Sequence, residues 1–127
     1  MTSYGKARDE FIKVAQRNGI NRESARRFLR LANSHARIQV AICNGPGDYV
    51  NRVPYPRAGE IYAEHEVLCA RREERVEKQI KRLAEECNVK VDCGGDPRGF
   101  TVKLFLPDGS YNSWGGKESG YGVPTRE

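Results

Sequence analysis

Apolar residues recur at helical spacing through the first two thirds of the chain and at every second position after residue 88. That change of period, from 3.6 to 2, predicts helices first and strands last. The first helix is expected over 8–17, where Phe11, Ile12, Ala15 and Arg8 share one face and Asp9 and Glu10 suit the first turn. Asn18-Gly19 closes it, with the glycine available for a left-handed end. A second helix is expected from a cap at Asn21 to Cys43. Its inward stripe reads Ala25, Phe28, Leu29, Ala32, Ala36 and Ile42. On the other side Arg26, Arg30 and Arg37 follow at steps of four and seven, which puts them in one line. Asn44-Gly45-Pro46-Gly47 stops the helix.

Residues 44–59 hold three prolines and three glycines, so a loop is expected there, long enough to be a candidate binding loop. A third helix is expected over 60–87, with Val76, Ile80, Leu83 and Cys87 at intervals of four, three and four. Glu74–Lys78 and Glu77–Lys81 are spaced as exposed i,i+4 pairs. Its middle, Arg71 to Arg75, is polar enough to project from the core, where a partner helix or a second copy of the chain could pack.

From Val89 the strands begin. Val89, Val91 and Cys93 alternate with Lys90 and Asp92; Phe100, Val102, Leu104 and Leu106 alternate with Thr101, Lys103 and Phe105. Gly94 to Gly99 joins the two, and Pro107-Asp108-Gly109 turns the chain into a short third strand around Tyr111 to Trp114. Residues 115–127 read as a tail. The expectation is a single α+β domain over 1–127: a helical hairpin (8–43) and a long third helix packed on a three-stranded antiparallel meander (88–114). Such a sheet needs a cover, and only the helices can supply it.

Charge adds a direction to this picture. Residues 1–57 carry eleven Lys/Arg against four Asp/Glu, and residues 58–127 carry eleven against thirteen. A basic half joined to a mildly acidic one suggests an oriented surface, its first half turned to an anionic partner. No apolar run approaches the roughly 20 residues that span a bilayer, and the N-terminus has no apolar segment of the signal-peptide kind. The expected location is therefore the cytoplasm, with no membrane partner. Four cysteines, Cys43, Cys69, Cys87 and Cys93, are read as reduced thiols.

The candidate chemistry is sparse. Ala15, Gly19, Ala25 and Phe28 fall where a helix-turn-helix wants a small residue, a turn glycine and two core positions. The second helix would then present Arg22, Arg26, Arg27 and Arg30, with Arg37 further along, to phosphates or base edges. Many plain hairpins satisfy the same pattern, and this helix is about twice the usual recognition length. His65 and Cys69 sit four apart on the third helix, but no close cysteine pair accompanies them, so they read as core-facing rather than as zinc ligands. No metal or other cofactor is expected. In Gly94-Gly95-Asp96-Pro97-Arg98-Gly99 the glycines let the backbone approach a ligand and Arg98 could grip a phosphate or a partner carboxylate, with Asp96 beside it as a second candidate site residue, although the spacing matches no phosphate loop and no helix follows. Tyr111, Trp114 and Tyr121 form either an aromatic lid or a contact patch. No Ser or Cys stands in a recognisable nucleophile setting, which makes an enzyme the lesser reading.

Three stretches resemble a family of small accessory proteins encoded by bacteriophages and prophages. They are Asn18-Gly19 with Ala25-Arg26 and Leu29 to Asn33; the helix ending in Cys43-Asn44-Gly45; and Gly95-Asp96-Pro97-Arg98-Gly99 leading into Val102-Lys103-Leu104, with Trp114-Gly115-Gly116 beyond. Together they cover about half of the chain. The resemblance implies an accessory role in a host cell, such as binding and inhibiting a host nucleoprotein or defence complex in the manner of an anti-CRISPR protein. Some relatives carry close cysteine pairs consistent with zinc; here Cys69 stands alone in that region. No site residue is carried over. Two other functions remain open on the residues: a direct nucleic-acid-binding regulator, and a nucleotide-sequestering protein or small phosphoryl-acting enzyme built around Asp96 and Arg98.

Overall fold

Residues 3–96 and 99–116 are described by a computed structural model, in which the change of period at residue 88 is the boundary between helices and sheet. The elements run α1 (Ser3–Arg17), α2 (Arg22–Asn44), a 3-10 turn (Asp48–Arg52), α3 (Arg57–Glu86), β1 (Lys90–Asp96), β2 (Gly99–Phe105) and β3 (Tyr111–Gly116). The fold is α+β, with three helices on a three-stranded antiparallel meander of order β1-β2-β3. Arg98 and Tyr121 lie outside the described residues, as does most of the expected tail.

The helix ends follow from local chemistry. At the close of α1, Ile20 N–H reaches Ala15 C=O at 3.0 Å and Gly19 N–H reaches Gln16 C=O at 3.2 Å. Gly19 takes φ +87°, which a side chain would resist, and Ile20 is thereby folded into the core. Asn21 caps α2, its side-chain oxygen accepting Ser24 N–H at 2.8 Å. At the far end Gly45 donates its N–H to Ala41 C=O. The end of α3 repeats the closure of α1: Val89 N–H meets Ala84 C=O at 3.1 Å and Asn88 N–H meets Glu85 C=O at 3.1 Å. Asn88, at φ +53°, replaces glycine there, the side chain that best tolerates this conformation.

Several boundaries differ from the sequence expectation. Helix α1 starts at Ser3 rather than 8, so Ala7 joins the core, Arg8 is exposed and Asp9 falls in the second turn. Helix α3 starts at Arg57, just after Pro56, where a missing N–H costs nothing. Arg57 then bridges Glu60 at 3.0 Å and Glu64 at 3.1 Å. The expected loop of 44–59 thus shrinks to 45–56, much of it taken up by the 3-10 turn that buries Val50. Gly94 to Asp96 are strand rather than loop, because Asp96 pairs with Gly99 and the connection tightens to two residues.

Phe11, Phe28, Phe100, Leu83, Val102 and Leu104 form the centre of one core. Helix α2 is its hub: it lies against β1 and β2, with α1 on one flank reaching β3 and α3 on the other reaching β1. Burial of this set accounts for the order of the sheet, since a lone meander exposes too much apolar surface to persist. Ile42 is not part of it; it is 44 % exposed. The last turn of α2 and the first half of α3 extend past the sheet, leaving Tyr62, Val67 and Leu68 exposed. No helix among the described residues is long and apolar enough to cross a membrane.

Candidate functional site

The α1–α2 hairpin sets its two helices at a shallow cleft of about 340 Å³. Its floor is Ile12 and Leu29, both buried. Its walls are Arg8 and Asp9 from α1 and Arg22, Arg26 and Arg30 from α2. Positions 22, 26 and 30 are one helical turn apart, so their side chains stack along a single edge of α2. The sole acid, Asp9, is engaged by its neighbour Arg8 at 3.2 Å. Arg22, Arg26 and Arg30 make no ion pair among the described residues. Three exposed guanidiniums around an apolar floor form a concave, electropositive surface suited to phosphate or carboxylate.

Of the five arginines expected on this face, the structure gathers Arg22, Arg26 and Arg30. It adds Arg8, which the spacing with Phe11, Ile12 and Ala15 predicts on the inward face but which is exposed at the cleft wall. Arg27 and Arg37 are exposed but do not line the cleft. Arg27 lies about 100° further round the helix than Arg26.

The helix-turn-helix pattern is met in its core: Ala15, Ala25 and Phe28 are fully buried and Gly19 makes the turn. Yet α2 packs against α1, α3 and the sheet. Over its first half the open part is the arginine edge and adjoining surface, which suits contact along a phosphate backbone better than insertion in a groove.

His65 and Cys69 do face one another, with Sγ 3.5 Å from Nε2. They line a groove of about 650 Å³ between the end of α2 and α3, together with Ile42, Tyr62 and Glu73. The same Nε2 lies 3.0 Å from Ala41 C=O. A carbonyl only accepts, so Nε2 carries the proton and donates it there. Spent on that bond, it neither accepts a proton from the thiol nor ligates an ion. His65 is a latch between α3 and the last turn of α2. Cys69 is buried beside it.

The aromatic set is divided. Trp114 stands opposite Val102 on the inner sheet face, edge-on to Phe11 with ring centroids 5.3 Å apart, so it serves as the lid. Tyr111 points to the outer face, beside Phe105 at 5.5 Å. There Lys90 lies over the Phe105 ring and Lys103 over the Tyr111 ring, at 4.8 and 5.2 Å. Asp96 ends β1 by its backbone pairing to Gly99.

One grouping that sequence reasoning misses is His35, Glu73 and Glu77, brought together between α2 and α3. Spacing alone pairs Glu77 with Lys81, whereas in the fold its carboxylate faces His35. The available signal is a pair of i,i+4 polar positions on each helix, His35 with Gln39 and Glu73 with Glu77.

No protein-family model, curated protein or solved structure matches the chain.

Proposed function

We propose that this protein is a non-enzymatic accessory protein that binds a host nucleoprotein or defence complex through the basic cleft between α1 and α2. The observation that carries the reading is the convergence of Arg22, Arg26 and Arg30 on one concavity with no ion pair to a carboxylate among the described residues. Unneutralised arginines at a concave site raise the local concentration of an anionic surface and hold it by bidentate hydrogen bonds. The phage-like stretches supply the kind of partner, a host assembly rather than a metabolite.

Affinity recovery from host extract, with wild type beside an Arg22→Gln/Arg26→Gln/Arg30→Gln variant, tests this. Wild type retains a nucleic-acid-containing complex that salt releases, and the variant loses it. Identical recovery by the two proteins would sink the cleft as the binding surface.

A direct nucleic-acid-binding regulator is the second reading, favoured by the buried Ala15, Ala25 and Phe28 and the turn at Gly19. A gel shift on naked duplex separates the two: tight binding without host protein selects the regulator. The phosphoryl-acting reading draws less support from Gly95, which has α2 against it, so its small size needs no phosphate to explain it.

A further inference from the structure

We propose that His35, Glu73 and Glu77 form a binding site for one divalent first-row transition cation of the zinc type, clamped between α2 and α3. The donor atoms of the three side chains all lie within 4.8 Å of one another. They come from facing positions: His35 on α2, and Glu73 and Glu77 one turn apart on α3. Helix pairs that hold metals commonly present donors in this way.

Two observations point to a cation rather than a plain polar contact. First, His35 is under-satisfied. Its side chain is only 15 % exposed. Nδ1 faces Gly94 of β1 and is no donor to this ion; the other nitrogen, Nε2, on the side of the carboxylates, stands 3.6 Å from Glu77 Oε1. A hydrogen bond would draw that pair to about 2.7–3.2 Å. An imidazole nitrogen that faces a carboxylate from beyond hydrogen-bond range leaves space for a bridging water or ion between them. Two donors on one tetrahedral ion, each at about 2.0–2.1 Å, stand roughly 3.3–3.4 Å apart, close to the spacing seen. Second, two carboxylates meet here, and among the described residues neither forms an ion pair with a lysine or arginine. A dication removes their repulsion.

The surroundings fit. Gln39 donates its amide N–H to Glu73 Oε2, which fixes that carboxylate and leaves Oε1 for the ion, as outer partners of metal ligands do. The widest gap in the trio closes by small rotations of two long glutamate side chains. An imidazole nitrogen in the set selects zinc, cobalt or iron over magnesium and calcium. Glu77 is exposed, so the outer side stays open and a water can fill a fourth position. The ion would tie the middle of α3 to α2 beside β1.

The test uses the full reduced chain with Co²⁺ as the probe, because its absorption distinguishes nitrogen and oxygen donors from thiolate. Wild type takes up one Co²⁺ per chain, showing weak visible bands without a thiolate charge-transfer band, and its melting temperature rises with the ion. Glu77→Gln, at an exposed position that leaves the core intact, weakens binding about tenfold or more and abolishes the rise. Glu73→Gln does the same. Absence of uptake, uptake equal in wild type and both variants, or a dominant thiolate band from the cysteines would each overturn the proposal. None of these results depends on the arginine cleft.

Discussion

Ala36 of α2 and Gly95 of β1 meet with no room for a side chain between them: a Cβ on Gly95 would lie 2.6 Å from Ala36 Cβ and 2.9 Å from its Cα. Gly99 C=O would be 2.8 Å away on the other side. Both obstacles are backbone or backbone-bound, so neither can swing aside. Gly95→Ala must push α2 off the sheet or distort the hairpin. The expected cost is about 1–3 kcal/mol, the range for overpacking a well-filled site. Urea denaturation checks it, and a midpoint unchanged from wild type would mean that α2 sits further from β1.

The same contact shows where sequence reading succeeds and where it stops. Helix and strand types are legible because Phe28, Leu29 and Ala32 repeat at helical spacing and Phe100, Val102 and Leu104 repeat at two. The cap at Asn21 and the turn at Gly19 are legible because single residues dictate those geometries. Gly95 is ambiguous in sequence, because a glycine makes room equally well for a ligand or for a helix, and only the placement of Ala36 shows that a helix occupies that room. Arg26 and Arg30 can be placed on one edge of α2 from spacing. That Arg8 stands across from them cannot, since the hairpin angle depends on packing around Phe11 and Phe28. The meeting of His35 with Glu73 and Glu77 needs the register between two helices, which no local pattern encodes.

Cys93 gives the fold a weakness in alkali. It packs against the core, and burial first, with the neighbouring Asp92 charge second, pushes its thiol far above the ordinary range. In the unfolded chain the thiol ionises near its usual value of about 8.5. Above that pH the unfolded state sheds a proton that the folded state keeps, so stability falls as pH rises. Below it the contribution is fully present. Denaturation midpoints between about pH 8 and 10 should decline in wild type, and the decline should be shallower in Cys93→Ala whatever its absolute stability. Parallel slopes in the two proteins would show that Cys93 titrates freely.

Arg26 and Arg27 are adjacent in the chain but differ in setting, which makes them an internal control for the cleft. Arg26 lines it and Arg27 does not. Both are exposed, so replacing either with Gln should leave stability within about 0.5 kcal/mol. Arg26→Gln should weaken partner binding. For a phosphate-bearing partner it should also lower the log–log salt slope by about one unit for each phosphate the side chain no longer touches. Arg27→Gln should be nearly silent. A larger effect from Arg27 would place the contact surface further round α2 and favour the nucleic-acid reader.

Phe11 and Trp114 couple the first helix to the last strand, and the protein's single tryptophan makes that coupling visible. Their rings meet edge to face at 5.3 Å with an interplanar angle of 75°, the arrangement in which a positive ring edge meets a negative face. Phe11 is fully buried, whereas Trp114 is only partly so. Removing the Phe11 ring therefore opens a cavity at the α1–β3 seam and gives water access to the indole. Phe11→Ala should cost about 3–5 kcal/mol, as large aromatic truncations in cores do. Its native-state tryptophan emission should shift to the red, since the indole then faces solvent. Phe11→Leu separates packing from ring geometry: most of the buried volume returns, but the edge-to-face contact, worth about 0.5–1.5 kcal/mol beyond area, does not. Emission close to wild type with intermediate stability is the expected result for Phe11→Leu. If Phe11→Ala leaves the emission maximum where it was while the protein stays folded, Trp114 is shielded by something other than α1, and the docking of α1 on β3 is wrong.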